Sequence, residues 1–185
     1  VITGYQAVID DAVRAKFENA WQPSVKIPAK PGLTITELMN GILDGRIKAL
    51  YIMGENPMLS DPNMNHVKEA LHQIEFMVSQ DIFLNETAQL AHVVLPGVSF
   101  AEKEGTYTNT ERRVQRVRTA LPIRGEARHD LDILCDLGQR LSQVDGKNST
   151  DVIHPVTDWN YAGASAVYDE IAALTPSMAV LSYKR

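Results

Sequence analysis

Apolar residues recur along the chain in two rhythms, a spacing of three to four and short unbroken runs, and their alternation predicts an α/β fold. Residues 10–21 place Val13, Phe17 and Trp21 four apart, one face of a helix that ends ahead of Pro23 and Pro28. Thr34 and Glu37 have capping-box spacing, and Ile35, Leu38 and Ile42 give the helix they open an apolar face before Gly45 stops it. Residues 48–53 (KALYIM) are a short apolar run between Gly45 and Gly54-Glu55-Asn56-Pro57, as expected of a buried strand. Asp61 and Pro62 read as cap and first-turn proline of a helix carrying Met64, Val67, Leu71 and Ile74. Residues 76–80 then predict a second strand, 85–91 a brief helix capped by Asn85, and 92–95 a third strand.

Further on, residues 105–118 carry Thr106-Tyr107-Thr108, an Asn-Thr turn, and Val114 and Val117 among arginines, which predicts an extended hairpin. Residues 130–141 return to helix with Leu131, Leu134, Cys135 and Leu141 facing inward. A polar loop comes next over 143–163, and a last helix over 165–174 is stopped by Pro176. Strand-helix-strand connections are right-handed almost without exception, so the three central strands should run parallel and share one carboxyl edge. The expected architecture is a Rossmann-like α/β/α arrangement of three layers with a mostly parallel sheet, and 185 residues suit a single domain over 1–185.

Composition narrows the function classes. Hydrophobic residues at 44% and charged residues at 22% exclude disorder, and no apolar run approaches the roughly 20 residues of a bilayer-crossing helix. One cysteine, Cys135, excludes an internal disulfide, and the five histidines have no ligand-like spacing, so they read as surface or loop residues. A net charge of −5 argues against a general nucleic-acid binder. The G-x-G-x-x-G, P-loop, G-x-S-x-G and H-E-x-x-H motifs are all missing. Cys135 lies between leucines and reads as a buried structural thiol. The chain opens on Val1, with no signal pattern, and reads as a piece of a longer polypeptide.

Ligands of open α/β sheets bind at the carboxyl edge. Three segments should converge there: Gly54-Glu55-Asn56-Pro57, Gln80-Asp81, and Pro96-Gly97 leading to Glu104-Gly105. Gly54 permits a positive φ, Asn56 offers an amide that donates and accepts, and Ser60 adds a hydroxyl near a helix start. Gln80 and Asp81 combine an amide with a carboxylate able to accept two parallel N–H bonds, as a guanine edge presents them, so a purine nucleotide is a candidate ligand. The plainer alternative is a strand-to-helix turn with Asp81 as the cap of the next helix. From Arg112 to Arg128 six arginines meet one acid, Glu126; this strip is either a solvated face or a docking surface for something anionic.

Taken in order, YIMGENP at 51–57, SQDIFLNETAQLAHVVLP at 79–96 and EKEGTYTNTERRVQRVR at 102–118 resemble the molybdopterin-dinucleotide oxidoreductases, most of all formate dehydrogenase catalytic subunits. The likeness corresponds to the third, Rossmann-like domain of such enzymes. It implies that this segment clasps the guanosine-diphosphate arm of a molybdopterin guanine dinucleotide carrying molybdenum or tungsten. The cofactor-binding residues implied are Gly54, Glu55, Asn56, Ser60, Gln80, Asp81, Gly97 through its backbone N–H, and Asp130. Two positions depart from the family pattern: His92 stands where an aspartate is usual, and Leu131 replaces an aromatic residue after Asp130.

The resemblance further implies a parent enzyme that oxidises formate to carbon dioxide, with a 4Fe-4S cluster and the metal ligand in domains outside this segment, which alone should be inactive. Its partners would be the remaining domains of the catalytic subunit and electron-transfer subunits, with no nucleic acid and no membrane span. The location implied is cytoplasmic, with a periplasmic parent as the alternative. Rival readings are the corresponding domain of a nitrate reductase, that of the large subunit of NADH:quinone oxidoreductase, and a free-standing nucleotide-binding or docking module.

Overall fold

A computed structural model of the chain describes residues 2–23, 26–144 and 159–184. They pack as two compact units, one drawn from Val1–Pro31, Glu104–Val117 and Asp130–Arg185, the other from Gly32–Lys103 and Arg118–His129. The polar loop expected over 143–163 falls largely on 145–158, outside the described residues.

The second unit holds the parallel sheet. Strands β1 (Ala49–Met53), β2 (Phe76–Asp81) and β3 (Val93–Pro96) lie in that order, and both pairings are parallel. Ile52 pairs with Ser79 and Ser79 with Val94; one step on, Met53 pairs with Gln80 and Gln80 with Leu95. Residues alternate across a strand, so Leu50, Ile52 and Met77 point to one face. Helix α2 (Ile35–Leu43) leads into β1, and the short α3 (Pro57–Ser60) and α4 (Met64–Gln73) connect β1 to β2. Met39 and Ile42 of α2, with Val67, Ala70 and Leu71 of α4 and Ile74 just beyond it, close over Ile52 and Met77 as the core. Truncating a fully buried core leucine such as Leu71 to alanine typically costs about 2–5 kcal/mol. This is the α/β class with a parallel sheet that the apolar pattern predicts.

The capping signals act where expected at α2. The Thr34 hydroxyl accepts from the Glu37 N–H at 3.4 Å, and the Glu37 carboxylate accepts from the Thr34 N–H at 2.8 Å. That pair also holds the Glu37 carboxyl below the usual carboxylate range. At α4 the start moves. Asp61 ends α3 instead, donating its N–H to the Pro57 carbonyl at 3.2 Å, and Asn63 becomes the cap by accepting from the His66 N–H at 3.3 Å. The loop after β1 therefore contains a helical turn that no apolar periodicity marks. The third strand likewise begins at Val93 rather than His92. His92 faces back instead: its Nδ1 accepts the Met77 N–H at 3.0 Å while its own N–H donates to the Met77 carbonyl at 2.9 Å. His92 thus ties the entry of β3 to β2. The brief helix of 85–91 shrinks to a single 3-10 turn, Ala88–Leu90, with Asn85 Oδ1 accepting from the Ala88 N–H at 2.9 Å.

The first unit combines α1 (Asp11–Trp21), the antiparallel hairpin β4 (Gly105–Thr108) and β5 (Val114–Val117), α5 (Asp130–Val144) and α6 (Ala164–Leu174). Asp10 caps α1, accepting from the Ala12 and Val13 N–H groups at 2.8 and 3.3 Å. Phe17 is fully buried against Trp21, and the Trp21 indole N–H donates to Glu170 of α6 at 2.8 Å. The hairpin reverses at Asn109, whose side chain accepts from the Arg113 N–H at 2.9 Å, and Arg112 adopts φ 63°.

Helix α5 buries the predicted stripe only in part. Ile133 and Gly138 are inside, Leu131, Leu134 and Cys135 are half-buried, and Leu141 is exposed. At Gly138, on the same stripe, the Trp159 indole lies so close that a Cβ would sit 2.2 Å from it. A glycine drops out of any apolar periodicity, so the pattern could not show this contact. Burial raises the Cys135 thiol pKa, which leaves it a poor nucleophile. No helix among the described residues is long and apolar enough to cross a membrane.

Gly138→Ala should therefore overpack the first unit at a cost of about 1–3 kcal/mol. A lowered melting temperature with a shifted tryptophan emission is expected; an unchanged melting curve would show that the indole moves aside freely.

Candidate functional site

All three strands of the second unit run the same way, so Met53, Asp81 and Pro96 end on one edge and the loops leaving them meet there. The ladder continues one step into these loops. The Gly54 N–H donates to the Gln80 carbonyl at 2.9 Å and the Gly97 N–H to the Asp81 carbonyl at 3.0 Å. Gly54 can take this path because it adopts φ 64°, a region strained for residues with a Cβ.

Asn56 joins the first loop to the second. Its Nδ2 donates to Glu86 at 2.8 Å, and its Oδ1 accepts from the Thr87 hydroxyl at 2.7 Å. Thr87, fully buried, in turn accepts from the Met58 N–H at 3.2 Å, which ties α3 to the second loop. The Asn56 amide holds the Glu86 carboxyl below the usual carboxylate range. Glu86 therefore stays ionised, and keeps accepting from Asn56, to a lower pH than an unperturbed glutamate would.

Gln80 is buried beneath the edge, and the Tyr51 hydroxyl donates to its Oε1. Asp81 organises the loop downstream of it. Its Oδ1 accepts from the Ile82 and Phe83 N–H groups at 2.7 and 3.2 Å, and its Oδ2 from Asn85 Nδ2 at 3.0 Å. Three of the carboxylate's roughly four acceptor positions are thus filled, which is the geometry of a cap. The loop so fixed exposes Ile82, Phe83 and Leu84, at 50%, 72% and 66%, as an apolar rim. Beside the first loop a mostly apolar cavity of about 330 Å³ is lined by Leu33, Leu38, Ile52, Met53, Glu55 and Ser60.

The second unit thus brings together Gly54, Glu55, Asn56, Ser60, Gln80, Asp81 and Gly97, while Asp130 opens α5 in the other unit. Glu55 and Ser60 are exposed; Gly97 is buried with its N–H engaged by Asp81. Thr87, Glu86 and Tyr51 also act at this edge and are not among the residues expected from the sequence. The polar run Asn85-Glu86-Thr87, directly downstream of a strand end on the ligand edge, was the available signal for the first two. Among the described residues no group of three or more His, Cys, Asp or Glu side chains is placed to hold a metal ion.

Residues 6–140 match the family model described as molybdopterin oxidoreductase. The chain belongs to the molybdopterin oxidoreductase family. It is similar to a protein named "Putative formate dehydrogenase YrhE" of Bacillus subtilis (strain 168), at 43% identity over 183 residues, covering 99% of this chain and 17% of that protein. A protein of Staphylococcus haemolyticus (strain JCSC1435) with the same description is 42% identical over 182 residues, covering 98% of this chain and again 17% of its own length. The chain thus spans about a sixth of the length of these relatives. Among solved structures, acetylene hydratase from Pelobacter acetylenicus superposes with a TM-score of 0.60 at 17% identity, covering 94% of this chain and 22% of the other, a likeness of fold. Membership in the molybdopterin oxidoreductase family agrees with the resemblance of the three ordered sequence blocks and with the Rossmann-like sheet.

Thr87→Val keeps the shape of this buried side chain and removes both of its hydrogen bonds, leaving the Met58 N–H and Asn56 Oδ1 without that partner. A loss of about 1–3 kcal/mol, with faster amide exchange at Met58, is the expected result; unchanged exchange would mean the two loops are held by other contacts. The Glu86 carboxyl has a depressed folded-state pKa, so its contribution is present above the unfolded value and fades as pH falls through the folded one. Its carbonyl resonance should titrate below that of a free glutamate in the native protein, and closer to the ordinary position in Asn56→Ala. An ordinary midpoint in both would contradict the Asn56 contact.

Proposed function

We propose that this segment clasps the guanosine-diphosphate arm of a molybdopterin guanine dinucleotide within a formate dehydrogenase catalytic subunit. The observation that carries the reading is the pair of loops at the carboxyl edge of the parallel sheet, cross-linked through Asn56, Glu86 and Thr87. Family membership and the formate dehydrogenase names of the relatives support it.

The donor set fits the organic arm of such a cofactor. Backbone at Glu55, the exposed Ser60 hydroxyl at the end of α3 and the remaining acceptor position of Asp81 suit phosphate, ribose and base, Gly54 shapes the turn that presents them, and the apolar cavity wall suits a planar ring. Gln80 and Gly97 position the edge from beneath, and the family resemblance adds Asp130 at the start of α5. When bound, the cofactor would supply the two-electron chemistry of formate oxidation through molybdenum or tungsten, with a 4Fe-4S cluster elsewhere in the parent taking up the electrons. This chain's own residues bind and orient. The Asp81 carboxylate fixes the second loop, and Asn56 locks the first loop to it, so that both are set before the nucleotide arrives and little ordering entropy opposes binding.

The partners of this reading are the remaining domains of the catalytic subunit and its electron-transfer subunits, in a cytoplasmic parent. The Ile82-Phe83-Leu84 rim is the surface we assign to those domains, since three consecutive exposed apolar side chains on a tightly tethered loop call for a cover.

Asp81→Ala in the complete enzyme releases the Ile82 and Phe83 N–H groups and Asn85 from one acceptor. A loss of about 1–3 kcal/mol in loop order should lower guanine and metal content together, along with formate-dependent dye reduction. Full guanine and metal occupancy in Asp81→Ala would refute the assignment of this edge.

A further inference from the structure

Strand β1 lies at an open edge of the parallel sheet. Among the described residues the strands run in the order β1-β2-β3, so β1 has a neighbour on one side only. The opposite edge is partly met: Gly97, just past β3, pairs in parallel with Arg128, whose N–H donates to the Pro96 carbonyl at 3.0 Å. On β1 the bonds to β2 fall on even positions. The Lys48 carbonyl accepts from the Phe76 N–H at 3.1 Å, and the Gly54 N–H donates to the Gln80 carbonyl at 2.9 Å. Successive residues of a strand alternate in direction, so Ala49 and Met53 turn their N–H and C=O groups away from β2. Both residues are exposed, and none of these four groups has a hydrogen-bond partner among the described residues.

Edges left to water are usually blunted by a charged side chain or proline in the strand, or by a bulge. Ala49-Leu50-Tyr51-Ile52-Met53 has no charge and no proline, and its pairing with β2 is unbroken. Lys48, just before it, is engaged with Glu75 at 3.1 Å. This strand is built to be paired on both sides.

A groove follows the same edge. The cavity of about 330 Å³ is lined along β1 from Leu50 to Met53 and across from it by Leu33, Ile35 and Leu38. Leu33 and Ile35 remain 43% and 59% exposed. Glu55 is the one charged residue of the lining and stands with Ser60 at the end toward the ligand edge, so the stretch beside Leu38 and Leu50 is apolar. An extended segment answers both features. Its backbone would pair with Ala49 and Met53, and every second side chain would enter the groove, leaving the end at Glu55 and Ser60 to the ligand. A helix laid here would fill the groove and leave the β1 backbone unpaired.

Length names the source of that segment. This chain covers only 17% of the two relatives compared above, so most of such a polypeptide is available to supply a strand. We propose that a strand of the parent polypeptide, from outside this segment and with apolar residues at alternate positions, adds to β1 and extends the sheet. The inference stands whether or not the loops bind a nucleotide.

Residue-resolved hydrogen exchange on the complete protein tests this, with Leu50 and Ile52, which face β2, as internal references. The Ala49 and Met53 amides should exchange about 100-fold or more slowly than in an unstructured peptide, in the range of those references and at every protein concentration. Exchange of Ala49 and Met53 at the unstructured rate, with Leu50 and Ile52 protected, would overturn the proposal by showing an unpaired edge. Protection that vanishes on dilution would also overturn it, because the partner would then be a second copy of the protein.

Discussion

Strand β2 is hydrogen-bonded on both sides by parallel neighbours, and the position of every loop that matters derives from that pairing. Because the registers bring Met53, Gln80 and Leu95 side by side, the chain leaves the sheet at three adjacent points of one edge. The two further hydrogen bonds from Gly54 and Gly97 to the carbonyls of Gln80 and Asp81 carry this order into the loops. A slip of one residue would turn Met77 out of the core and Gln80 into it, so the apolar cluster under α2 and α4 holds the register as firmly as the ladder does.

At this edge the strongest polar groups are spent largely on one another. Asp81 accepts three hydrogen bonds from its own loop, and the Asn56 amide is engaged at both ends. Hydrogen bonds to a charged acceptor are worth about 1.5–3 kcal/mol each. Exposed ion pairs such as Lys48 with Glu75 typically contribute about 0–1 kcal/mol. The loop network, not surface charge, therefore fixes the site. What it leaves open to a ligand is backbone, the Ser60 hydroxyl and apolar walls, a surface suited to the neutral and phosphate parts of a nucleotide.

The sequence made the strands, the main helices and their parallel order legible, because each depends on local periodicity and on caps such as Thr34 with Glu37. It also located the loops, since ligand edges are set by topology. Side-chain roles inside those loops were harder to read. Asp81 carries the chemistry of a bidentate acceptor, yet its oxygens are taken by Ile82, Phe83 and Asn85, and the order of residues alone cannot show such self-satisfaction. Thr87 escaped notice because a buried threonine bridging two loops joins positions about thirty residues apart. One contact of α5 is hidden for a related reason: that of Gly138 with Trp159 depends on the absence of a side chain.

The central claim is that the loops after β1 and β2 hold the guanine end of a dinucleotide, and a structure of the complete, cofactor-loaded protein tests it most directly. The account predicts base, ribose and phosphate density lying over residues 54–60 and 80–86, with the hydrogen bonds among Asn56, Glu86 and Thr87 kept. Nucleotide density lodged elsewhere, with these loops covered only by protein, would contradict it.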